Sequence, residues 1–306
     1  MTRVLGLDGG GTKTEAVLWN GHGVLGRGWG GPSNPNFVPV NAVDDAVAAA
    51  IAGALGDGRG HVGAVAAVVF GGPVSAAAVE RMVGRLLPDT PLVRRCHEGD
   101  LVLRAGGVAG AGIAVVSGTG SMVMRRDSQG ERVLVGGWGS LVGDEGSAYD
   151  IGRQALAACA RAQDGRGPAT ELMPPVLAWA GVPTMRDAVR HVYDDRTTRA
   201  HIAQLARVVT QVAADGDAVA RRILDDAGRE LALQVAAALG QPADRMPGLW
   251  PLVGAGGVLE GSPLVRQSLQ HHLADRPVEV LPPVMTLAEA AARIAADAAE
   301  AALSRE

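Results

Sequence analysis

Val4-Leu5-Gly6-Leu7-Asp8-Gly9-Gly10-Gly11-Thr12-Lys13-Thr14-Glu15-Ala16-Val17-Leu18-Trp19 is the stretch on which the fold turns. Two short apolar runs, residues 4–7 and 15–19, flank a glycine turn, and a third run, residues 24–29, follows across Asn20-Gly21-His22-Gly23. Asn-Gly between apolar runs is a strong hairpin signal. Strand, glycine turn, strand, hairpin, strand is therefore the expected opening. With no Cβ on Gly9, Gly10 or Gly11, consecutive N–H groups can converge on an anion such as phosphate. Thr12 and Lys13 add a hydroxyl and a charge. A Walker A loop would need Gly-Lys-Ser/Thr opening a helix. Here Thr12 separates Gly11 from Lys13 and a strand pattern follows, so the turn is not a P-loop.

Working outward, residues 40–55 are Ala-rich at helical spacing and stop at Gly56-Asp57-Gly58. A buried-strand run (64–70), a helix (about 75–87), a strand (about 92–96) and a short helix to Ala105 come next. The order then starts again. Residues 113–117 are apolar and end in Gly118-Thr119-Gly120-Ser121, and residues 122–126 and 132–135 flank the hairpin turn Asp127-Ser128-Gln129-Gly130. Helices are expected from about 147 to 239, with Gly240 as a stop, then strands at 249–253 and 278–281 around a helix, and a final Ala-rich helix over 286–304. The class is α/β with an internal duplication, each half placing a Gly/Thr turn between its first strand and a hairpin. Two such loops can clamp one polyphosphate chain from two sides. Gly118-Thr119-Gly120 lacks the third glycine and the helix of a dinucleotide fingerprint. Asp8, ending an apolar strand beside the glycines, is a poor core residue but suits Mg²⁺ held through water.

The 306 residues suffice for two core-bearing domains of about 150 residues each. Hydrophobic residues make up 47% but aromatics only 3%, so Ala, Val and Leu must fill the core and the many glycines imply close backbone packing. A net charge of -4 and the lack of a Lys/Arg run exclude a nucleic-acid partner. No apolar run approaches the roughly 18 residues of a membrane span, and Met1-Thr2-Arg3 leads straight into a strand pattern, so a cytoplasmic protein is expected. Cys96 and Cys159, the two cysteines, are too far apart for a CxxC site and are expected to be reduced.

In order along the chain, Leu7-Asp8-Gly9-Gly10-Gly11-Thr12-Lys13-Thr14, Ser117-Gly118-Thr119-Gly120-Ser121 and Gly254-Ala255-Gly256-Gly257 stand at turns. Between the last two lies Gly136-Gly137-Trp138-Gly139-Ser140-Leu141-Val142-Gly143-Asp144-Glu145-Gly146-Ser147-Ala148-Tyr149. Together these motifs resemble the N-acetylglucosamine kinase and BadF/BadG-type ATPase family of the actin-like (hexokinase, ribonuclease H-like) superfamily. The resemblance implies a first phosphate motif at Asp8–Thr14, a second at Gly118–Ser121 and an adenosine turn at Gly254–Gly257. It implies two lobes around a central cleft, residues 1–112 with the C-terminal helix 285–306 facing residues 113–284. The implied activity is ATP-dependent phosphorylation of an amino sugar, N-acetylglucosamine or glucosamine, at the 6-hydroxyl, with Mg²⁺ as cofactor and a possible homodimer.

Asp144 is the expected ligand of vicinal sugar hydroxyls, since a carboxylate accepts two hydrogen bonds. Gly137, Trp138, Gly143 and Glu145 belong to the same stretch. Gly31-Pro32-Ser33-Asn34-Pro35-Asn36 resembles the family's first-lobe sugar loop, with Asn34 the better match and Asn36 open. The family places a catalytic Asp just after the strand at 92–96; counting back from Gly118, that position holds Glu98, a departure from the pattern, with Asp100 two residues on as the alternative base. Two other readings follow from the same residues. One is an activator-type ATPase, whose iron–sulfur cluster needs paired cysteines that Cys96 and Cys159 do not supply. The other is a regulator that binds sugar or nucleotide without turnover.

Overall fold

The computed structural model describes residues 2–36, 38–56, 64–87, 91–194, 196–240 and 248–303. The elements run β1 (Arg3–Gly9), β2 (Thr14–Trp19), β3 (Val24–Gly30), α1 (Val40–Leu55), β4 (Val65–Gly71), α2 (Ala76–Leu86), β5 (Leu92–Arg95) and α3 (Glu98–Ala105). They continue with β6 (Gly112–Ser117), β7 (Ser121–Arg126), β8 (Arg132–Gly136), α4 (Ala148–Gln163), α5 (Met173–Ala180), α6 (Met185–Val192), α7 (Arg199–Ala203), α8 (Leu205–Ala214) and α9 (Ala218–Gly240). Last come β9 (Trp250–Ala255), α10 (Gly257–Gly261), α11 (Pro263–His272), β10 (Val278–Leu281) and α12 (Leu287–Leu303). Asp57-Gly58 and Ser304, expected to bound the first and last helices, lie outside the described residues. The chain divides into two units: Met1–Ala109 with Pro283–Glu306, and Gly110–Pro282.

The first unit holds a five-stranded sheet in the order β3-β2-β1-β4-β5. β1 to β3 are antiparallel, while β4 and β5 run parallel to β1. In the second unit the order is β8-β7-β6-β9-β10, with the same strand senses. The duplication expected from the turns is thus a repeated topology. Asn20 supports the first hairpin, its side-chain Oδ1 accepting from the His22 and Gly23 amides while Gly21 takes φ +93°. Asp127 does the same at the second, accepting from Gln129 and Glu131, with Gly130 at φ +84°.

β1 runs two residues longer than its apolar stretch. Asp8 pairs with Glu15 and Gly9 with Thr14, so the glycine turn is only residues 10–13, closed by the Gly10 amide donating to the Lys13 carbonyl at 3.0 Å.

Glycine and alanine let helices lie directly on the first sheet. On β3, Gly26, Gly28 and Gly30 share one face because strand side chains alternate. On α1, Ala46, Ala50 and Ala54 share one face at a spacing of four. A Cβ on the three glycines would stand 2.2, 2.0 and 1.9 Å from the carbonyl oxygens of Ala54, Ala50 and Ala46 respectively. Across the sheet, a Cβ on Gly6 would stand 2.1 Å from the Ala288 carbonyl oxygen of α12, whose buried face is Ala288, Ala291, Ala292, Ala295 and Ala299. Arg27 secures the start of α12, pairing with buried Glu15 at 2.9 Å and with Glu289 at 2.6 Å. In the second unit α9 packs on β7 and β8, and the helices around it form one continuous core with Ile113, Val115, Val123 and Leu252 of the sheet. No helix among the described residues is long and apolar enough to cross a membrane.

Gly28→Val drives a side chain into α1 backbone and is expected to destabilise the protein by about 1–3 kcal/mol or more. Gly23→Val, where an added Cβ meets nothing within 4 Å, is the control and should leave thermal unfolding nearly unchanged. Equal melting temperatures for the two variants would contradict this packing.

Candidate functional site

In sheets with parallel strands, ligands gather beyond the carboxyl ends. In the first unit those ends are Asp8-Gly9 of β1, Gly71 of β4 and Arg95 of β5, leading to Glu98 at the start of α3. None of Gly9, Gly10 and Gly11 lies in the left-handed region. A Cβ on Gly10 would make only an ordinary contact, 3.6 Å from the Lys13 carbonyl oxygen. The fold therefore does not require glycine there, and no Cβ shields the backbone of the turn. Gly9 is different: its Cβ would stand 2.5 Å from Ser33 Oγ and 2.7 Å from Val74 Cβ.

The loop after β3 is tied to this turn. Thr14 Oγ1 donates to the Gly31 carbonyl at 2.8 Å, and the Ser33 amide donates to the Gly10 carbonyl at 3.0 Å. The Thr14 hydroxyl thus anchors the loop. Asn34 is buried and its Oδ1 accepts from the Asn36 amide at 3.0 Å, while Asn36 is exposed. That hydrogen bond orients the Asn34 amide and leaves its Nδ2 to donate.

α3 is capped by His97, whose Nδ1 accepts from the Gly99 amide at 3.1 Å. Glu98 is half-buried in the first helical turn and Asp100 is buried. Burial raises the pKa of Glu98, and the Arg95 guanidinium draws it back down. Lys13 and Thr12 are exposed at the tip of the turn.

The second unit repeats the arrangement with a shorter turn. Ser117 and Ser121 face each other across β6 and β7, and the Gly118 amide donates to the Gly120 carbonyl at 2.9 Å. A Cβ on Gly118 would meet nothing within 4 Å, so again the fold does not demand the glycine. Gly256, at φ +104°, brings the turn after β9 against this one: its Cβ would stand 2.4 Å from the Ser117 carbonyl oxygen. Gly254, Ala255 and Gly257 complete that turn, with Gly257 starting α10.

Segment 136–147 is folded onto the same turn. Ser117 Oγ donates to the Gly146 carbonyl at 2.8 Å and Ser121 Oγ to the Glu145 carbonyl at 2.7 Å. The Ala148 amide donates to the Gly118 carbonyl at 2.8 Å, and the Tyr149 amide to the Thr119 carbonyl at 3.4 Å. Two of the three hydroxyls in the second turn and the carbonyls of Gly118 and Thr119 therefore hold the segment that leads into α4. Asp144 is the one described non-glycine residue with positive φ, at 59°. A Cβ on Gly120 would stand 3.0 Å from Asp144 Oδ2, so the carboxylate rests on the turn. Burial raises its pKa, opposed by the amides of Ser121 and Gly139 and by the charge of Arg199. Gly137, at φ +70°, donates to the Ser121 carbonyl, and Gly143 lies against Trp138 and Glu145. Trp138 is 76% exposed, a large apolar surface against Gly143, the residue before Asp144.

The sequence pattern of the BadF/BadG/BcrA/BcrD ATPase family matches residues 5–291. The chain belongs to this family. It is 34% identical over 243 residues to the N-acetylmuramic acid/N-acetylglucosamine kinase of Clostridium acetobutylicum, covering 78% of this chain and 79% of that protein. It is 28% identical over 278 residues to the N-acetyl-D-glucosamine kinase of Dictyostelium discoideum, covering 84% and 85%. Among solved structures, a putative N-acetylglucosamine kinase from Chromobacterium violaceum superposes with a TM-score of 0.72 at 25% identity, covering 96% and 99% of the two chains. The actin-like fold extends to a ROK family glucokinase from Streptomyces griseus, solved with glucose and AMPPNP, at a TM-score of 0.57 and 18% identity.

In this member of the BadF/BadG/BcrA/BcrD family, three further contributors lie outside the sequence motifs. Gly72, at φ +76°, presses on the first turn: its Cβ would stand 2.3 Å from the Gly9 carbonyl oxygen. The pair Gly71-Gly72 directly after an apolar run was the available signal. Gln234 of α9 donates to the Glu145 carbonyl at 3.1 Å, and a Cβ on Gly136 would stand 2.4 Å from its Oε1. Arg199 acts on Asp144 from α7, 55 residues away in sequence. Neither side chain carries a local pattern that marks it.

Ser121→Ala removes a donor to the Glu145 carbonyl and is expected to cost about 1 kcal/mol. Amide exchange at residues 145–149 should quicken in that variant while exchange in α12 stays unchanged. Uniform exchange in both regions would contradict a local clamp.

Proposed function

We propose that this chain transfers the γ-phosphoryl group of ATP to an amino-sugar hydroxyl, with the 6-hydroxyl of N-acetylglucosamine as the leading acceptor. The observation that carries the reading is Asp144: a carboxylate in left-handed backbone, fixed on Gly120 of a turn whose glycine at 118 the fold does not need. A hydroxyl-binding group and a phosphate-binding backbone are thereby built as one piece. Family membership and the amino-sugar kinases among its relatives support the same chemistry. The C. acetobutylicum relative's name adds N-acetylmuramic acid to the acceptors to be compared, beside glucosamine.

Phosphoryl transfer depends on positioning and charge neutralisation, with a carboxylate to take the hydroxyl proton. Asp144 accepts hydrogen bonds from sugar hydroxyls, and Asn34 Nδ2 donates one from the loop after β3. Glu98 accepts the proton as the sugar oxygen attacks the γ-phosphorus and the bridging oxygen departs on ADP. Its raised pKa brings it closer to the working pH than an ordinary carboxylate. Backbone amides of Gly11, Thr119 and Gly120 meet the phosphates, the Gly10 and Gly118 amides being engaged in closing the turns, and the Lys13 and Thr119 side chains stand beside them. The turn 254–257 receives the adenosine.

Mg²⁺ that bridges phosphates keeps most of its waters and takes only one or two protein carboxylates. Asp8 fits that demand as a half-buried carboxylate at the end of β1, its Oδ1 lying close to the backbone of Gly72. Asp8 would hold the ion there, and the ion would supply positive charge to the transferring phosphoryl group.

Cys159 is buried in the core of the second unit, and burial pushes its thiol up to about 12. Such a thiol is a poor cluster ligand, which speaks against the activator-type reading.

ADP release in a coupled assay is expected only when an amino sugar is present. Sugar-independent hydrolysis, or none with any sugar, would remove the proposal. Glu98→Gln should abolish turnover while retaining sugar affinity, whereas Asp144→Ala should weaken affinity. A group that must be ionised to act, and whose pKa is raised, loses its function as pH falls through that raised pKa. Activity should therefore decline at a higher pH than for an ordinary carboxylate. The Glu98 effect should appear in kcat and the Asp144 effect in KM. If Asp100→Asn alone abolishes turnover, the base is Asp100.

A further inference from the structure

Arg95 ends the outermost strand of the first sheet, yet its side chain does not simply extend into solvent. It crosses over Phe70 of β4, with the guanidinium carbon 5.6 Å from the ring centroid. Two of its nitrogens then donate to the turn after β4: Nη2 to the Gly72 carbonyl at 2.7 Å and Nη1 to the Val74 carbonyl at 3.2 Å. Those two residues are the ones that pack on the first phosphate turn. A Cβ on Gly72 would stand 2.3 Å from the Gly9 carbonyl oxygen and 3.1 Å from Asp8 Oδ1, and a Cβ on Gly9 would stand 2.7 Å from Val74 Cβ. On its other side Arg95 is followed by Cys96, whose amide donates to the Phe70 carbonyl at 2.8 Å, and by the cap and first residue of α3.

We propose that Arg95 is a positioning residue: its planar fork fastens the turn on which Asp8 rests to the strand end that launches Glu98. The inference rests on Glu98 being the base. Asp8 and Glu98 come from different strands, β1 and the β5–α3 junction, which are not neighbours in the sheet. β4 lies between them, and its turn is the piece that Arg95 grips. A lysine would supply the charge without the geometry of two fixed donors. The same guanidinium is the cation acting on Glu98. The other charged or titratable groups about that helix are His97, held to the Gly99 amide; Asp100, in the same turn; and Asp297 of α12, paired with Arg104 at 2.8 Å.

The test uses Arg95→Met, which keeps an apolar stem over Phe70, and Arg95→Lys, with Glu98→Gln measured in parallel and thermal unfolding recorded for all three. Arg95→Met is expected to lower kcat on the order of ten- to a hundredfold, because about 1 Å of misplacement costs that much. Sugar KM should be little changed, and the acidic limb of the kcat profile should move to higher pH as the cation opposing protonation is removed. Arg95→Lys should return the limb towards its original position while leaving kcat below the unmodified protein. Unaltered kcat and limb in Arg95→Met, beside an inactive Glu98→Gln, would overturn the proposal alone. Turnover by Glu98→Gln would overturn the base assignment and this inference with it. A fall in kcat that merely tracks lost folded protein, with the limb unmoved, would reduce Arg95 to a structural role.

Discussion

Two glycine contacts set the geometry of the candidate site residues within each unit. In the first unit Gly72, after the second parallel strand, lies against the carbonyl of Gly9, after the first. In the second unit Gly256, after β9, lies against the carbonyl of Ser117, at the end of β6. Both glycines have positive φ, and a Cβ on either would approach a backbone oxygen to 2.4 Å or less. The carboxyl ends of adjacent parallel strands are thereby pressed together at equivalent places in a duplicated topology. Each glycine turn is held from beneath by its neighbour as well as by its own hydrogen bond. This is why the turns themselves can carry glycines, at 10 and 118, that serve no packing purpose.

The hydroxyl groups near these turns are employed differently from what their residue types suggest. Thr14, Ser117 and Ser121 all donate to backbone carbonyls of the neighbouring loop. Buried hydroxyls need partners, since an unmet one costs about 1–3 kcal/mol. Satisfying them inside the protein rigidifies loops 31–36 and 136–147 against their turns. Polar residues that read as ligands thus act one layer back, holding Asn34 and Asp144 in place. Asp144 adopts a left-handed backbone conformation that Asp tolerates better than most residues. The turn residues and the strained acid form a single hydrogen-bonded assembly.

Close backbone packing is also what the low aromatic content means in three dimensions. β3 offers glycine at every second position and α1 offers alanine at every fourth, so helix and strand meet without side chains between them. Alanine plays the same part in α12 against Gly6. Large residues are kept for the other parts of the core, such as Phe70 of β4 and Ile51 of α1. A tight sheet–helix interface limits how far the strand ends can shift, and strand ends carry the candidate chemistry.

By itself the sequence determined the α/β class, the duplication, the hairpins at Asn20 and Asp127, the end of α1 at Gly56 and the positions of the two glycine turns. These are local properties: alternation, turn chemistry and glycine placement act over a few residues. It also marked Asp144, because Gly143-Asp144-Glu145-Gly146 lies in a continuous stretch that resembles the family's motif. Only the tertiary structure decided what each polar group touches. Gly72, Arg95 and Gln234 act on residues 21 to 89 positions away, through backbone carbonyls that have no sequence signature. That Ser121 holds a loop while Gly118 stays open depends on where the 136–147 segment folds back. Asn34 differs from Asn36 in burial, and Glu98 acquires its raised pKa from burial countered by Arg95. Burial and electrostatics are sums over neighbours brought together by the fold, which one-dimensional spacing does not contain.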